Sequence, residues 1–212
     1  PPVAGTGGLA AANGSGSATL WYVVAAGAAL LSVGGLAALR KARRRAISPA
    51  ALLRSRGLKE GDKLADVGCG PGFFAIPGAA IVGPGGTVYA IDTQQEMLDS
   101  LKEQRPPANV VPVKSAEHSI PLEGGSADMA LIAFALHEAT DKVLFIEEVK
   151  RVVKKGGIIA VLDWKKQEEE HGPPAEDRLT EEEVEALLRG AGFSGLRSAS
   201  LNESHYRVSA LK

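Results

Sequence analysis

The chain holds a single cysteine, Cys69, among 212 residues, so no disulfide can close within it and an oxidising compartment gains no support. Its four histidines, His118, His137, His171 and His205, lack the spacing of a metal-ligand set, and no metal is expected. Charge is missing altogether from residues 1–39, and the first charges come as a cluster, Arg40, Lys41, Arg43, Arg44 and Arg45. Removing those five from 24 lysines and arginines leaves 19 against 25 acids, a net of −6 for the remainder. A mildly acidic domain offers no basic face, and nucleic acid is not an expected partner. The third glycine of the dinucleotide fingerprint is also absent, because Phe73 stands where G-x-G-x-x-G requires it.

What is present divides into four parts. Residues 1–19 are rich in Gly, Ala and Ser and read as a flexible tail. Residues 20–39 are apolar or small throughout, and at about 1.5 Å per residue they make a helix that crosses a hydrocarbon core of about 30 Å. Trp21 and Tyr22 stand at one end as interfacial anchors, and residues 40–47 form a basic juxtamembrane linker at the other. A cleaved signal peptide needs its positive charge before the apolar run, and a core helix needs a polar face; neither is found. The expectation is a single-pass membrane anchor with residues 48–212 in the cytoplasm.

Within that domain, Leu64 to Val67 read as a short buried strand, and Gly68, Gly70 and Gly72 follow as a loop whose backbone can approach a ligand before a helix begins. Cys69 lies inside the loop and reads as a small residue that fits the turn. A tight turn without a ligand would explain the loop taken alone. Asp92, however, ends the next strand, 20 residues beyond Gly72, and an acid at that distance in a βαβ unit reaches the ribose hydroxyls of a nucleoside.

Asp66 followed by Gly68, Cys69, Gly70, Pro71 and Gly72, with Asp92 at the end of strand two, resembles the class I S-adenosylmethionine (SAM)-dependent methyltransferases, of the small-molecule type 11 kind. The resemblance runs over residues 48–212. It implies an α/β fold: a Rossmann-like, seven-stranded, mostly parallel sheet with a C-terminal antiparallel hairpin, here preceded by the transmembrane helix. It implies SAM as cofactor, with Thr93 and Met97 packing on the adenine. Ala116 and Glu117 would meet the adenine edge, although Ser115 replaces the usual acid there. Phe134 would close the cofactor site at the end of strand four.

Ligands of open α/β sheets bind beyond the carboxyl ends of the strands. His137 and Glu138 follow strand four, and Asp163 and Trp164 end strand five, so these four face the acceptor, with His137 as candidate base. A histidine at a loop start without chemical duty is the equal alternative. The Asn-Pro-Pro-Tyr signature of amino-methylating enzymes is absent. The acceptor stays open among a small molecule, a lipid or quinone, and a protein side chain. Two other functions compete: a membrane-tethered SAM-binding sensor without turnover, and a nicotinamide oxidoreductase.

The remaining elements are expected as follows. A short helix starts at Ser48 and Pro49 and covers the cofactor mouth; a helix spans 73–82, shortened or kinked at Pro77; strands span 63–67, 87–91, 110–113, 127–133 and 158–163. A helix runs over 94–104. Another, capped by Thr140 and Asp141, turns Val143, Leu144, Val149, Val152 and Val153 inward and stops at Lys154 to Gly157. Residues 165–178 form a charged loop. Thr180 and Glu183 make a capping box for a last helix through Leu188, and two antiparallel strands close the chain around Asn202.

Overall fold

The computed structural model describes residues 47–212. It places Lys63–Val67 (β1), Thr87–Asp92 (β2), Val110–Lys114 (β3), Ala127–Ala133 (β4), Val153–Trp164 (β5), Ser194–Ser200 (β6) and His205–Leu211 (β7) in one sheet of order β3-β2-β1-β4-β5-β7-β6. The first five strands run parallel, and β7 is antiparallel to both β5 and β6. The expected Rossmann-like sheet and terminal hairpin are therefore present. Among the described residues no helix is long and apolar enough to cross a membrane. The expected tail, span and basic linker, up to residue 46, lie outside the described residues.

Helices cover both faces, which is why β4 reads as apolar throughout Met129 to Ala133, after Asp128 near its start. Pro49–Ser55 (α1), Ala75–Val82 (α2) and Gln95–Glu103 (α3) pack on one face through Leu53, Ala79, Val82, Leu98 and Leu101, against Leu64, Met129 and Leu131 of the sheet. Lys142–Val152 (α4) and Glu181–Gly190 (α5) pack on the other through Ile146, Val149, Val184 and Leu188, against Val67, Ala130 and Ile159. Beneath α2, a Cβ on Gly78 would lie 2.7 Å from the Leu64 side chain. The close helix-to-strand packing that a dinucleotide fold obtains from its third glycine is obtained here one turn later, at Gly78.

Three boundaries differ from the sequence reading, each for a local reason. Helix α2 begins at Ala75 rather than Phe73, which puts Pro77 in the first turn, where its missing N–H leaves no hydrogen bond unmade. Helix α4 turns Phe145, Ile146, Val149 and Val152 inward, whereas Val143 and Leu144 are 55% and 48% exposed. They belong to the turn capped by the Asp141 carboxylate, which accepts from both of their N–H groups at 3.0 Å. The stretch Lys154 to Gly157 does not end that helix but belongs to β5. Gly156, at φ +75°, donates to the Lys212 carbonyl, and a Cβ on Gly157 would lie 2.8 Å from the Asp128 carbonyl. Gly156 thus answers to its backbone conformation and Gly157 to close packing of β5 against β4.

Candidate active site

The glycine loop is pinned to β2 before it turns. Gly68 and Cys69 both donate their N–H groups to the Ile91 carbonyl, at 2.9 and 3.0 Å. All three glycines have positive φ, +74°, +51° and +91°, but they answer different needs. A Cβ on Gly68 would meet Ala135 at 2.6 Å, and one on Gly72 would meet Leu101 at 2.5 Å, whereas a Cβ on Gly70 would project into open space. Gly70 thus bares backbone toward open space, while Gly68 and Gly72 are small because protein lies behind them. Cys69 is buried, its thiol donates to the Gly70 carbonyl, and burial together with Asp66 and Asp92 pushes its pKa up. It is no nucleophile.

Two buried carboxylates frame the loop. Asp92 is 7% exposed and accepts from Gly70 N–H at 2.8 Å and from Gln94 N–H at 2.9 Å, so it holds the bare backbone of the loop in place. Burial raises its pKa against those bonds. Asp66 is 1% exposed, and its Oδ2 has no hydrogen-bond partner among the described residues. Burial, then the charge of Asp92, raises its pKa to about 7. An orphaned buried carboxylate oxygen beside an open glycine is the environment a cationic ligand completes. SAM carries an ammonium and a sulfonium, and these residues fit it.

The other expected cofactor residues lie in the glycine loop, on α3 and past the ends of β2 and β3, which the Ser115 N–H ties together by donating to the Asp92 carbonyl at 3.0 Å. Pro71 lies in the loop with its carbonyl accepting from the Gln104 side chain. Met97 is half-buried on α3, and Thr93 is exposed just past β2, its carbonyl taken by Lys114. The Ala116 N–H, expected at an adenine nitrogen, donates to the Ser119 carbonyl at 3.1 Å and is engaged, because residues 116–119 close a bridge on themselves. Glu117 accepts from the Thr140 N–H and hydroxyl, clipping the turn after β3 to the start of α4. Those bonds hold its pKa down against burial.

Beyond the carboxyl ends of β4 and β5 a second group assembles. Phe134 adopts φ +59°, a conformation rare outside glycine, while its N–H donates to the Leu162 carbonyl at 2.8 Å. Its ring stands 6.0 Å from Trp164 and 5.1 Å from His205, and those two rings are 4.3 Å apart. His137 sits in the 3-10 turn Leu136–Glu138, where its Nδ1 lies 2.7 Å from the Asp163 carboxylate. Asp163 is fully buried and also accepts the Trp164 N–H at 2.9 Å. Burial pulls the His137 pKa down, but the hydrogen bond and charge of Asp163, with Glu138 and Asp177, outweigh it and the pKa is raised. Asp163 is therefore the partner that orients His137 rather than a residue turned to the acceptor. Glu138 stays largely exposed, 3.8 Å from Nε2.

Sequence reasoning did not single out Arg178. It is 1% exposed and donates to the carbonyls of Pro173, Lys165, Gln167 and His171 at 2.9 to 3.0 Å, with its guanidinium 5.1 Å from the Trp164 ring. This one side chain gathers the loop 165–178 over Trp164. An arginine ending a charged loop gives no signal of burial, because the carbonyls that receive it become neighbours only in the folded loop.

With this geometry in place, comparison with known proteins becomes informative. The family described as "Methyltransferase domain" matches residues 65–161. Demethylmenaquinone methyltransferases of Staphylococcus aureus, strains JH9 and Newman, are 34% identical over 113 residues, 53% of this chain and 47% of theirs. The match thus spans about half the length of those curated relatives. A SAM dependent methyltransferase from Aquifex aeolicus superposes with a TM-score of 0.76 at 38% identity, over 80% of this chain and 92% of that one. A SAM dependent methyltransferase from Mesorhizobium loti superposes at 0.61 and 19% identity, over 76% and 96%, and speaks for the fold alone.

Proposed function

The chain belongs to the SAM-dependent methyltransferases, and from that membership we propose that it methylates a reduced, hydroxyl-bearing ring of quinone type at a membrane surface. The observation that carries this reading is the His137 to Asp163 pair at the carboxyl edge of the sheet, 2.7 Å apart and shielded from water. A hydroxyl of such a ring must lose its proton as the ring becomes a nucleophile, and His137 is built to take it. With Nδ1–H held by Asp163, the imidazole presents Nε2 as the acceptor, and the carboxylate stabilises the imidazolium that forms. Phe134, Trp164 and His205 supply an apolar, ring-lined wall for an aromatic acceptor. Bound SAM supplies an electrophilic methyl on a positively charged sulfur. The protein's part is to hold the acceptor in line with it and to exclude water.

The choice of acceptor draws on three supports. Curated relatives carry the name demethylmenaquinone methyltransferase. The sequence of residues 20–45 reads as a membrane anchor followed by a basic linker. Val143 and Leu144, exposed at the start of α4, follow the turn that leaves the β4 end and give that edge an apolar surface. Incubation of the full-length chain with methyl-labelled SAM and a membrane-plus-cytosol extract tests the reading. Label should enter the lipid-soluble quinone fraction and be lost in His137→Ala, with SAM affinity retained. Label in aqueous small molecules or in protein would overturn the acceptor, and SAM binding without transfer to any fraction would make the chain a sensor.

A further inference from the structure

On the sheet face covered by α1 a groove of about 270 Å³ opens, separate from the glycine loop. Ile47, Ala51, Leu52 and Leu201 supply apolar lining, and Ser55 and Arg207 the polar lining. Arg207 is placed by register: it lies opposite Leu162 in the antiparallel β5 to β7 pair, so both side chains rise toward α1. Only 9% of it is exposed, and its Nε is buried with no hydrogen-bond partner among the described residues. No carboxylate pairs with it. The charge it senses is of its own sign, from Arg56, and that repulsion, added to burial, lowers its pKa. Arg56 is itself held beside the groove by Ser55 at 3.3 Å and Ser209 at 3.4 Å.

A guanidinium taken out of water without an anion is costly, and a second guanidinium beside it makes the arrangement worse. Packing alone would be served better by leucine or methionine at this position. The pair makes physical sense when an anion completes it, and planar N–H forks match tetrahedral oxyanions bidentately. The apolar wall beside them calls for carbon attached to that anion. We propose that this groove binds the phosphate of an amphiphile, with Arg207 and Arg56 on the oxygens and Ile47, Leu52 and Leu201 on the first carbons of its chain. The source is either a membrane lipid headgroup or a soluble phosphate ester with an apolar substituent. Nothing in this assignment depends on methyl transfer.

The test uses the full-length chain in nonionic detergent, titrated calorimetrically with dihexanoyl phosphatidic acid and with inorganic phosphate. The lipid should bind at least about tenfold more tightly than phosphate, and Arg207→Leu should weaken it by about tenfold or more, with Arg207→Lys in between because the fork is lost and the charge kept. Ala51→Phe fills the groove with both arginines retained and should weaken the lipid as well. SAM affinity should stay unchanged in all three. Cosedimentation with phosphatidylglycerol and phosphatidylcholine vesicles then separates the sources. The arginines at 40–45 attract anionic vesicles in every variant, so the difference between wild type and Arg207→Leu reads the groove. A preference for phosphatidylglycerol that shrinks in the variant assigns a lipid headgroup, and short-chain binding with no such difference assigns a soluble ester. Absence of lipid binding by the wild type, or binding undiminished in Ala51→Phe, overturns the site even if Arg207→Leu does not fold.

Discussion

At the scale of single residues, the glycine loop separates two kinds of glycine, and substitution distinguishes them. Gly70→Val places its branch in open space, so the fold should survive with roughly 1–2 kcal/mol of left-handed backbone strain. SAM binding should weaken by about 1–3 kcal/mol, the overpacking range, as read by calorimetry. Gly68→Ala meets Ala135 at 2.6 Å and should lower the melting temperature first; equal SAM affinity in wild type and Gly70→Val would remove the loop from the cofactor site. Asp66 makes a second prediction. Its folded pKa of about 7 lies above its ordinary 3.8, so the folded protein holds this proton, and apo stability falls as pH rises from about 4 through 7. A bound cation favours the carboxylate, so SAM affinity should rise as pH increases through about 7 and lose that dependence in Asp66→Asn. His137 has the same linkage sign, in a higher pH window. Its raised pKa contributes stability below about 6.5 that is lost as pH climbs through the folded value. Turnover, which needs the neutral imidazole, should increase over that same range. Asp163→Asn should move the rate limb to lower pH as well as slow the reaction, whereas an indifferent pH profile would deny His137 the role of base.

At the scale of elements, what the sequence betrays is what depends on near neighbours. Ala127–Ala133 and Lys63–Val67 are legible to the residue, because burial on both faces leaves them apolar apart from Asp128 in the first and Lys63 and Asp66 in the second. The Thr180 and Glu183 capping box is legible as well: Glu183 N–H donates to the threonine hydroxyl at 3.2 Å and the Glu183 carboxylate accepts the Thr180 N–H at 2.7 Å. What stays hidden depends on the distant chain. Gly156 and Gly157 look like a helix stop until Lys212 and Asp128 are beside them, and Asp163 looks like an acceptor group until the turn after β4 brings His137 to it. Arg178 is the extreme instance, since its acceptors are four carbonyls and the Glu169 carboxylate of an irregular loop. Arg178→Met should therefore cost roughly 3 kcal/mol, the scale of a broken buried network. It should also open residues 165–177 to limited proteolysis while SAM binding, on the far side of β4, persists. A loop as resistant as the wild type would show that Trp164 and the neighbouring turns hold it without the arginine.

At the scale of the whole molecule, the cofactor residues and the His137 pair all follow Ser48, whereas the sequence that reads as an anchor precedes it. The two parts should thus be separable in function. A chain starting at Ser48 should bind SAM with about the affinity of the full-length protein, because Asp66, Gly70 and Asp92 are held by bonds within the described residues. Ile47, the first of the described residues, lines the groove with Leu201 and Arg207 near the carboxyl end of β5, the side of the sheet where His137 and Trp164 lie. Each arginine among residues 40–45 would add about 1 kcal/mol of attraction to an anionic leaflet. Turnover of a lipid-like acceptor in vesicles should accordingly fall steeply in the chain starting at Ser48, with turnover of a short-chain, water-soluble analogue unchanged. Fusing an unrelated membrane anchor to Ser48 should restore the vesicle rate if proximity to the bilayer is the anchor's contribution. Recovery of the full-length protein in the supernatant after detergent-free fractionation would return residues 20–39 to the status of an ordinary apolar segment, and the membrane-borne acceptor would fall with it.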